Sequence, residues 1–167
     1  RLGGQCLINI LKNPLDKKYK TIQIPTYPFS GGYGMRGGVV LKNKEIILPF
    51  TDVPYYKKIF IVRSKDNGLT WSKPKLVAKG KNKEFEEPSI KILPNKNLFM
   101  LLRENKSKIL HSLFSKDEGK TWSNPKKTKI VGYPADLTIV NKNLLACVTG
   151  NRNKPHQILI YLSENFK

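Results

Sequence analysis

Two cysteines, Cys6 and Cys147, are all that the 167 residues contain, which excludes a disulfide-rich scaffold and a cysteine-based zinc site. Each reads as an apolar strand residue, since no base is indicated beside either thiol. Acidic side chains are scarce, with 12 Asp and Glu against 31 Lys and Arg and a net charge of +19. Arginine is scarcer still: Arg1, Arg36, Arg63, Arg103 and Arg152 stand against 26 lysines. The longest apolar runs, such as residues 98–102, are far too short to span a bilayer. No phosphate loop, dinucleotide fingerprint or convincing amphipathic helix is present. His111 and His156 have no partner at ligand spacing, so no metal and no cofactor is expected. Residues 1–4 do not read as a signal peptide, and the first residue is not Met, so a fragment or processed product is expected.

What is present supports an ordinary domain. Hydrophobic residues make up 39% and aromatics 10%, enough for a core. The positive charge attracts anions in principle. The lysines are nevertheless spread along the chain beside 14 asparagines, which is compositional drift rather than a basic stripe interleaved with stacking aromatics. No specific nucleic-acid partner is therefore expected. Where Lys is the default cation, the few arginines mark places that want a planar, bidentate fork.

The sequence repeats. Residues 64–74 read SKDNGLTWSKP and residues 115–125 read SKDEGKTWSNP, identical at eight of eleven positions and offset by 51 residues. A third copy begins at Ser163-Glu164-Asn165. Apolar runs broken by Lys/Asn turns recur in phase at 38–50, 89–102 and 136–149. Strands are predicted at 39–41, 45–50, 58–62 and 75–78; at 89–93, 97–102, 108–114 and 126–131; and at 136–140, 144–149 and 157–162. Residues 5–11 and 20–24 read as outer strands of a preceding unit. Four-stranded antiparallel units at this period predict an all-β fold of the propeller kind. The expected division is the end of one blade over 1–30, a blade over 34–80, a blade over 86–131 and an incomplete blade over 133–167. Since propellers close with about 4–8 blades, a longer parent carrying the remaining blades is expected.

The repeated turn has a mechanical reading. Gly68 and Gly119 supply a positive φ. Ser64, Asp66, Ser115 and Asp117 accept backbone N–H bonds across the turn, and Trp71 and Trp122 return to cover the hairpin. Two oxygen-bearing side chains per turn are too few for a Ca²⁺ loop. The turns read as structural staples.

Ser-x-Asp-x-Gly-x-Thr-Trp resembles the Asp-box, or bacterial neuraminidase repeat, of the sialidase superfamily. The resemblance extends over about residues 30–167. GMRGGVVLKNKEIILPF (34–50), EEPSIKILPNKNLFMLLR (86–103) and YPADLTIVNKNLLACVTGNR (133–152) look like the openings of three successive sialidase blades. It implies part of a six-bladed sialidase-type propeller, about its third to fifth blades. The implied activity of the parent is a cofactor-independent, retaining glycoside hydrolase that releases terminal sialic acid. The implied partner is a sialylated or other acidic glycan, and the family favours an extracellular or cell-surface location. In sialidases three Arg clamp the sugar carboxylate, a Tyr attacks the anomeric carbon, a Glu takes its proton and an Asp serves as acid/base. This is one of the exceptions to the two-carboxylate scheme. By position, Glu87 is the implied catalytic partner of the Tyr, and Arg103 and Arg152 are implied members of the clamp. The first clamp Arg, the Asp and the nucleophilic Tyr fall on blades outside this sequence, so this stretch alone is expected to be inactive.

Topology supplies a check independent of the family. In an antiparallel meander the start of strand one and the end of strand two share a rim, and the turn between strands three and four lies at the other. Glu87 precedes strand one, Arg103 ends strand two, and Arg152 follows strand two of the next unit. Arg36 and Tyr33 belong to the same rim, with Arg36 the weaker candidate for substrate binding. Arg63 belongs with the repeated turns and reads as structural. Tyr33, Tyr133 and Asp136 read as wall or turn residues. The alternative function is a non-catalytic propeller that binds carbohydrate or protein.

Overall fold

The computed structural model describes residues 6–34 and 36–164; Arg1, Gln5 and Asn165, touched by the sequence reading, lie outside the described residues. Every regular element among the described residues is a strand, and none of them forms a helix long and apolar enough to cross a membrane. β1 (Cys6–Ile10) and β2 (Lys20–Ile24) form a hairpin. Next come β3 (Gly32–Tyr33), β4 (Val39–Val40), β5 (Ile46–Asp52), β6 (Lys58–Ser64) and β7 (Lys75–Lys79). β3 and β4 lie along one edge of β5, and the sheet continues through β6 to β7. β8 (Phe85–Ile92), β9 (Leu98–Glu104), β10 (Ile109–Ser115) and β11 (Lys126–Val131) form a four-stranded sheet. β12 (Ala135–Asn141), β13 (Leu144–Asn151) and β14 (Gln157–Ser163) form a third. All pairings are antiparallel between chain neighbours, apart from the split inner strand of the first sheet. This is the blade arrangement of a propeller.

The alternation of apolar residues explains the packing. The middle strands are covered on both faces: Ile59, Phe60, Ile61 and Val62 are each 0% exposed. Burying a side chain such as Phe60 stabilises the fold by about 1.5–3 kcal/mol. Three apolar seams result. Cys6, Ile24, Phe50 and Phe60 join the β1–β2 hairpin to the β5 sheet. Ile47, Ile61, Ile90 and Met100 join that sheet to the β8 sheet, and Leu101, Leu110, Leu137 and Cys147 join the β8 sheet to the last. Trp71 packs on the first seam and Trp122 on the second.

The largest departure from the sequence reading is the start of β8. The strand predicted from residue 89 begins at Phe85, and Glu87 lies inside β8 rather than ahead of it. The register slips between Glu86 and Ser89, where Pro88 has no N–H to give the ladder. The bulge accommodates that residue and leaves Glu87 in the left-handed region at φ 48°.

Candidate functional site

Register fixes two opposite rims. Ser64 is paired with Ile46 and Ser115 with Leu98, so the repeated turns sit where β5 and β9 begin. Within each turn Ser Oγ donates to Asp Oδ1 at 2.8 Å and accepts the Gly N–H at 2.8 Å. Asp Oδ1 accepts the Thr N–H at 2.8 Å, and Oδ2 accepts the Thr hydroxyl at 2.6 Å. The indole N–H of Trp71 donates to the Gly68 carbonyl, and that of Trp122 to Gly119. Arg63 joins the second turn to the sheet before it: it forms a bidentate pair with Glu45 and donates to the Glu118 carbonyl at 2.8 Å.

The other rim collects the ends of β5, β9 and β13 and the starts of β8 and β12, with Gly32 opposite Asp52, Glu86 opposite Arg103 and Ala135 opposite Thr149. Here the bulge turns Glu87 toward Arg103. Arg103 Nη1 donates to Glu87 Oε1 at 3.0 Å and lies 3.9 Å from Glu86 Oε2. Two buried carboxylates thus face one guanidinium. Thr51 Oγ1, at the end of β5, accepts the Glu87 N–H at 3.2 Å. Glu87 Oε2 and Arg103 Nε are buried without a hydrogen-bond partner. Burial pushes the Glu86 carboxyl above its ordinary value, with Glu87 adding to the effect and Arg103 opposing it. Burial, helped by Glu87 and Glu86 and opposed by Arg103, raises the Tyr33 phenol as well.

Arg103 also lies over the Tyr133 ring, its guanidinium carbon 4.0 Å from the centroid, and Arg152 lies over the same ring at 4.8 Å. The structure therefore brings together Glu87, Arg103 and Arg152. No ion pair or hydrogen bond among the described residues links Arg36 to them; Arg36 is half-buried, and its Nε is a buried atom without a partner. Sequence reasoning singled out neither Glu86 as a second carboxylate on Arg103 nor Tyr133 as a support. The register gave a signal for Glu86, because it sits directly opposite Arg103 once β8 starts at Phe85.

Other features fall outside this rim. Among the described residues no group of three or more His, Cys, Asp or Glu side chains is placed to hold a metal. His111 is buried and accepts from Lys83 at 3.0 Å while its Nδ1–H donates to the Ile109 carbonyl; burial holds its pKa low. Burial pushes the Cys147 thiol up to about 12, which leaves it inert as a nucleophile. An apolar cavity of about 340 Å³, lined by Phe99, Phe114, Leu145 and Tyr161 among others, belongs to the seam beneath β14 and not to the rim.

Comparison with known proteins bears on the family and the fold. The BNR repeat-like domain family matches residues 22–166. No curated protein matches the chain. Among solved structures, one of a protein of unknown function from Dyadobacter fermentans DSM 18053 is 23% identical with a TM-score of 0.78, over 89% of this chain and 45% of that one. A variant of NanB sialidase from Streptococcus pneumoniae is 15% identical with a TM-score of 0.72, over 96% of this chain and 28% of that one. An alpha-L-arabinofuranosidase from Clostridium thermocellum ATCC 27405 is 10% identical with a TM-score of 0.68, over 89% of this chain and 55% of that one. The chain spans less than half the length of the first two. The matched span and the repeated sheets lead to one conclusion: the chain belongs to the BNR repeat-like family.

Proposed function

We propose that this rim recognises the carboxylate of an acidic sugar, and that the whole protein is a sialidase-like glycoside hydrolase releasing terminal sialic acid with retention of configuration. The observation that carries the reading is the convergence of Arg103 and Arg152 on one aromatic ring beside the buried Glu87. Two guanidiniums in a fixed relation present the donors a carboxylate needs. Glu87 anchors Arg103 by a 3.0 Å ion pair. In the catalytic reading its carboxylate also takes the proton of a tyrosine nucleophile contributed by another blade. A neutral Tyr suits an anionic substrate, because a carboxylate nucleophile would be repelled by the sugar's own charge. The fold is shared with a sialidase and with an arabinofuranosidase, so the sugar is argued from the arginines and not from the fold.

The test is hydrolysis of a fluorogenic sialoside by the full-length protein and its Arg103→Ala variant. The expected result is activity in the former and a loss of about 100-fold in kcat/KM in the latter, since a buried charge-assisted contact is removed. Wild-type turnover in the variant removes Arg103 from the clamp. An inactive intact protein that still binds sialic acid replaces the hydrolase with a carbohydrate-binding propeller.

A further inference from the structure

We infer that Tyr133 is the positioning residue of this rim: its ring fixes Arg103 and Arg152, which come from two different sheets, at one spacing so that both act on one carboxylate. The inference rests on the carboxylate reading above and adds a component to it.

Two guanidiniums brought together repel, and something must offset that repulsion before a ligand arrives. An aromatic face does so through its quadrupole. Arg103 and Arg152 lie 4.0 and 4.8 Å from the Tyr133 centroid, and Lys108 stands farther off at 6.0 Å. Arg103 has a second anchor in Glu87. Arg152 is exposed, follows the end of β13 and makes no ion pair or hydrogen bond among the described residues, so no such bond competes with the ring for it. A lone exposed Arg would lose much rotamer freedom on binding; a stacked one has lost part of it already.

The ring itself is held. Tyr133 is 8% exposed, and its N–H donates to the Gly150 carbonyl at 2.9 Å. Gly132 before it has φ 106°, and a Cβ there would stand 2.3 Å from Thr149 Oγ1 and 2.8 Å from the Gly150 oxygen. Only glycine permits that approach, which draws residues 132 and 133 against the end of β13. Thr149 Oγ1 completes the junction by donating to the Val131 carbonyl at 2.9 Å. The ring therefore sits at the joint between the β8 sheet and the β12 sheet, where it reaches one arginine from each.

The experiment compares the protein with its Tyr133→Phe, Tyr133→Leu and Tyr133→Met variants by two readouts. The first needs no ligand: ring-current shifts of the Arg103 and Arg152 side-chain resonances. They are expected in the wild type and in Tyr133→Phe, and absent in Tyr133→Leu and Tyr133→Met. The second is titration with N-acetylneuraminic acid and its methyl ester. The free acid is expected to bind Tyr133→Phe within about twofold of wild type and the Leu and Met variants about tenfold more weakly, with the ester indifferent to all three. The flexible Met variant keeps the comparison available where Leu disturbs folding. Unchanged Arg152 shifts, or wild-type affinity for the acid in the folded Leu or Met variant, overturns the inference. If no form binds the acid while the shifts vanish in Leu and Met, the sugar assignment fails and the positioning of the arginines stands.

Discussion

The two rims of the same sheets are finished to different degrees. At the repeated-turn rim Ser64, Asp66, Thr70 and Trp71 satisfy one another and the turn backbone, and Ser115, Asp117, Thr121 and Trp122 repeat the pattern. At the opposite rim Glu87 and Arg103 each keep a buried polar atom without a partner, and Glu86 has a carboxyl raised by burial. Among the described residues the buried side-chain atoms without a partner are Arg36 Nε, Glu87 Oε2 and Arg103 Nε, and none belongs to a repeated turn. Satisfied polar groups hold a fold together, whereas unfilled hydrogen-bonding capacity concentrates where a ligand is handled. The contrast separates the aspartates, which catch the eye in the sequence, from the chemistry.

The largest expected effect breaks the finished rim. Ser115 is 2% exposed, and its hydroxyl both accepts from Gly119 and donates to Asp117. Ser115→Ala leaves a buried N–H and one carboxylate oxygen short of a partner, and is expected to lower unfolding free energy by about 2 kcal/mol. Urea unfolding measures it. A change inside about 0.5 kcal/mol would mean that the turn does not staple the fold.

Much of this fold is legible in the sequence. Period-two apolar runs give the strands of the three larger sheets to within a few residues, and a period near 51 residues sets the repeat. The placement of Glu87 and Arg103 at one end of a sheet follows from antiparallel register alone. The illegible parts are non-local or irregular. β3, two residues long, carries no periodicity to read. The start of β8 is hidden because Glu86, Glu87 and Pro88 are poor strand formers, and a bulge accepts them. Tyr133 meets arginines 30 residues before it and 19 after it, a convergence set by the packing of β8 against β12.

Acid adds a second contrast, because Asp66 in a repeated turn and Glu86 at the other rim respond with opposite signs. Hydrogen bonds from the Thr70 hydroxyl and N–H hold the Asp66 carboxyl down to about 2, and Thr121 depresses Asp117 in the same way. A depressed carboxylate contributes stability above its unfolded value of 3.8 and loses it as pH falls through the folded value. Glu86 is raised, so its contribution is fully present below the unfolded value of 4.5 and is lost as pH rises through the folded one. Thermal midpoints across about pH 2 to 7 should show Asp66→Asn closing its gap to wild type as pH falls below 3.8. Glu86→Gln should instead lose ground relative to wild type as pH falls toward 4.5. Gaps that move in the same direction for both variants would erase the distinction between Asp66 and Glu86.

The smallest expected effect lies within the finished rim, between its two turns. Gly68 and Gly119 have φ of 88° and 81°, so alanine strains both backbones by about 1 kcal/mol. Their surroundings differ. A Cβ at Gly68 meets Trp71 at 3.5 Å and Ile10 at 3.8 Å, which is ordinary contact. One at Gly119 meets Arg63 Nη1 and Leu98 at 3.2 Å and Ile47 at 3.3 Å. Arg63 cannot easily withdraw, because the same guanidinium holds Glu45 and the Glu118 carbonyl. Gly119→Ala is therefore expected to cost about 1 kcal/mol more than Gly68→Ala, through overpacking of the seam between β5 and β9. Equal costs in urea unfolding would show that the turn's own backbone sets the penalty, and that the second turn is no more tightly seated against its neighbouring sheet than the first.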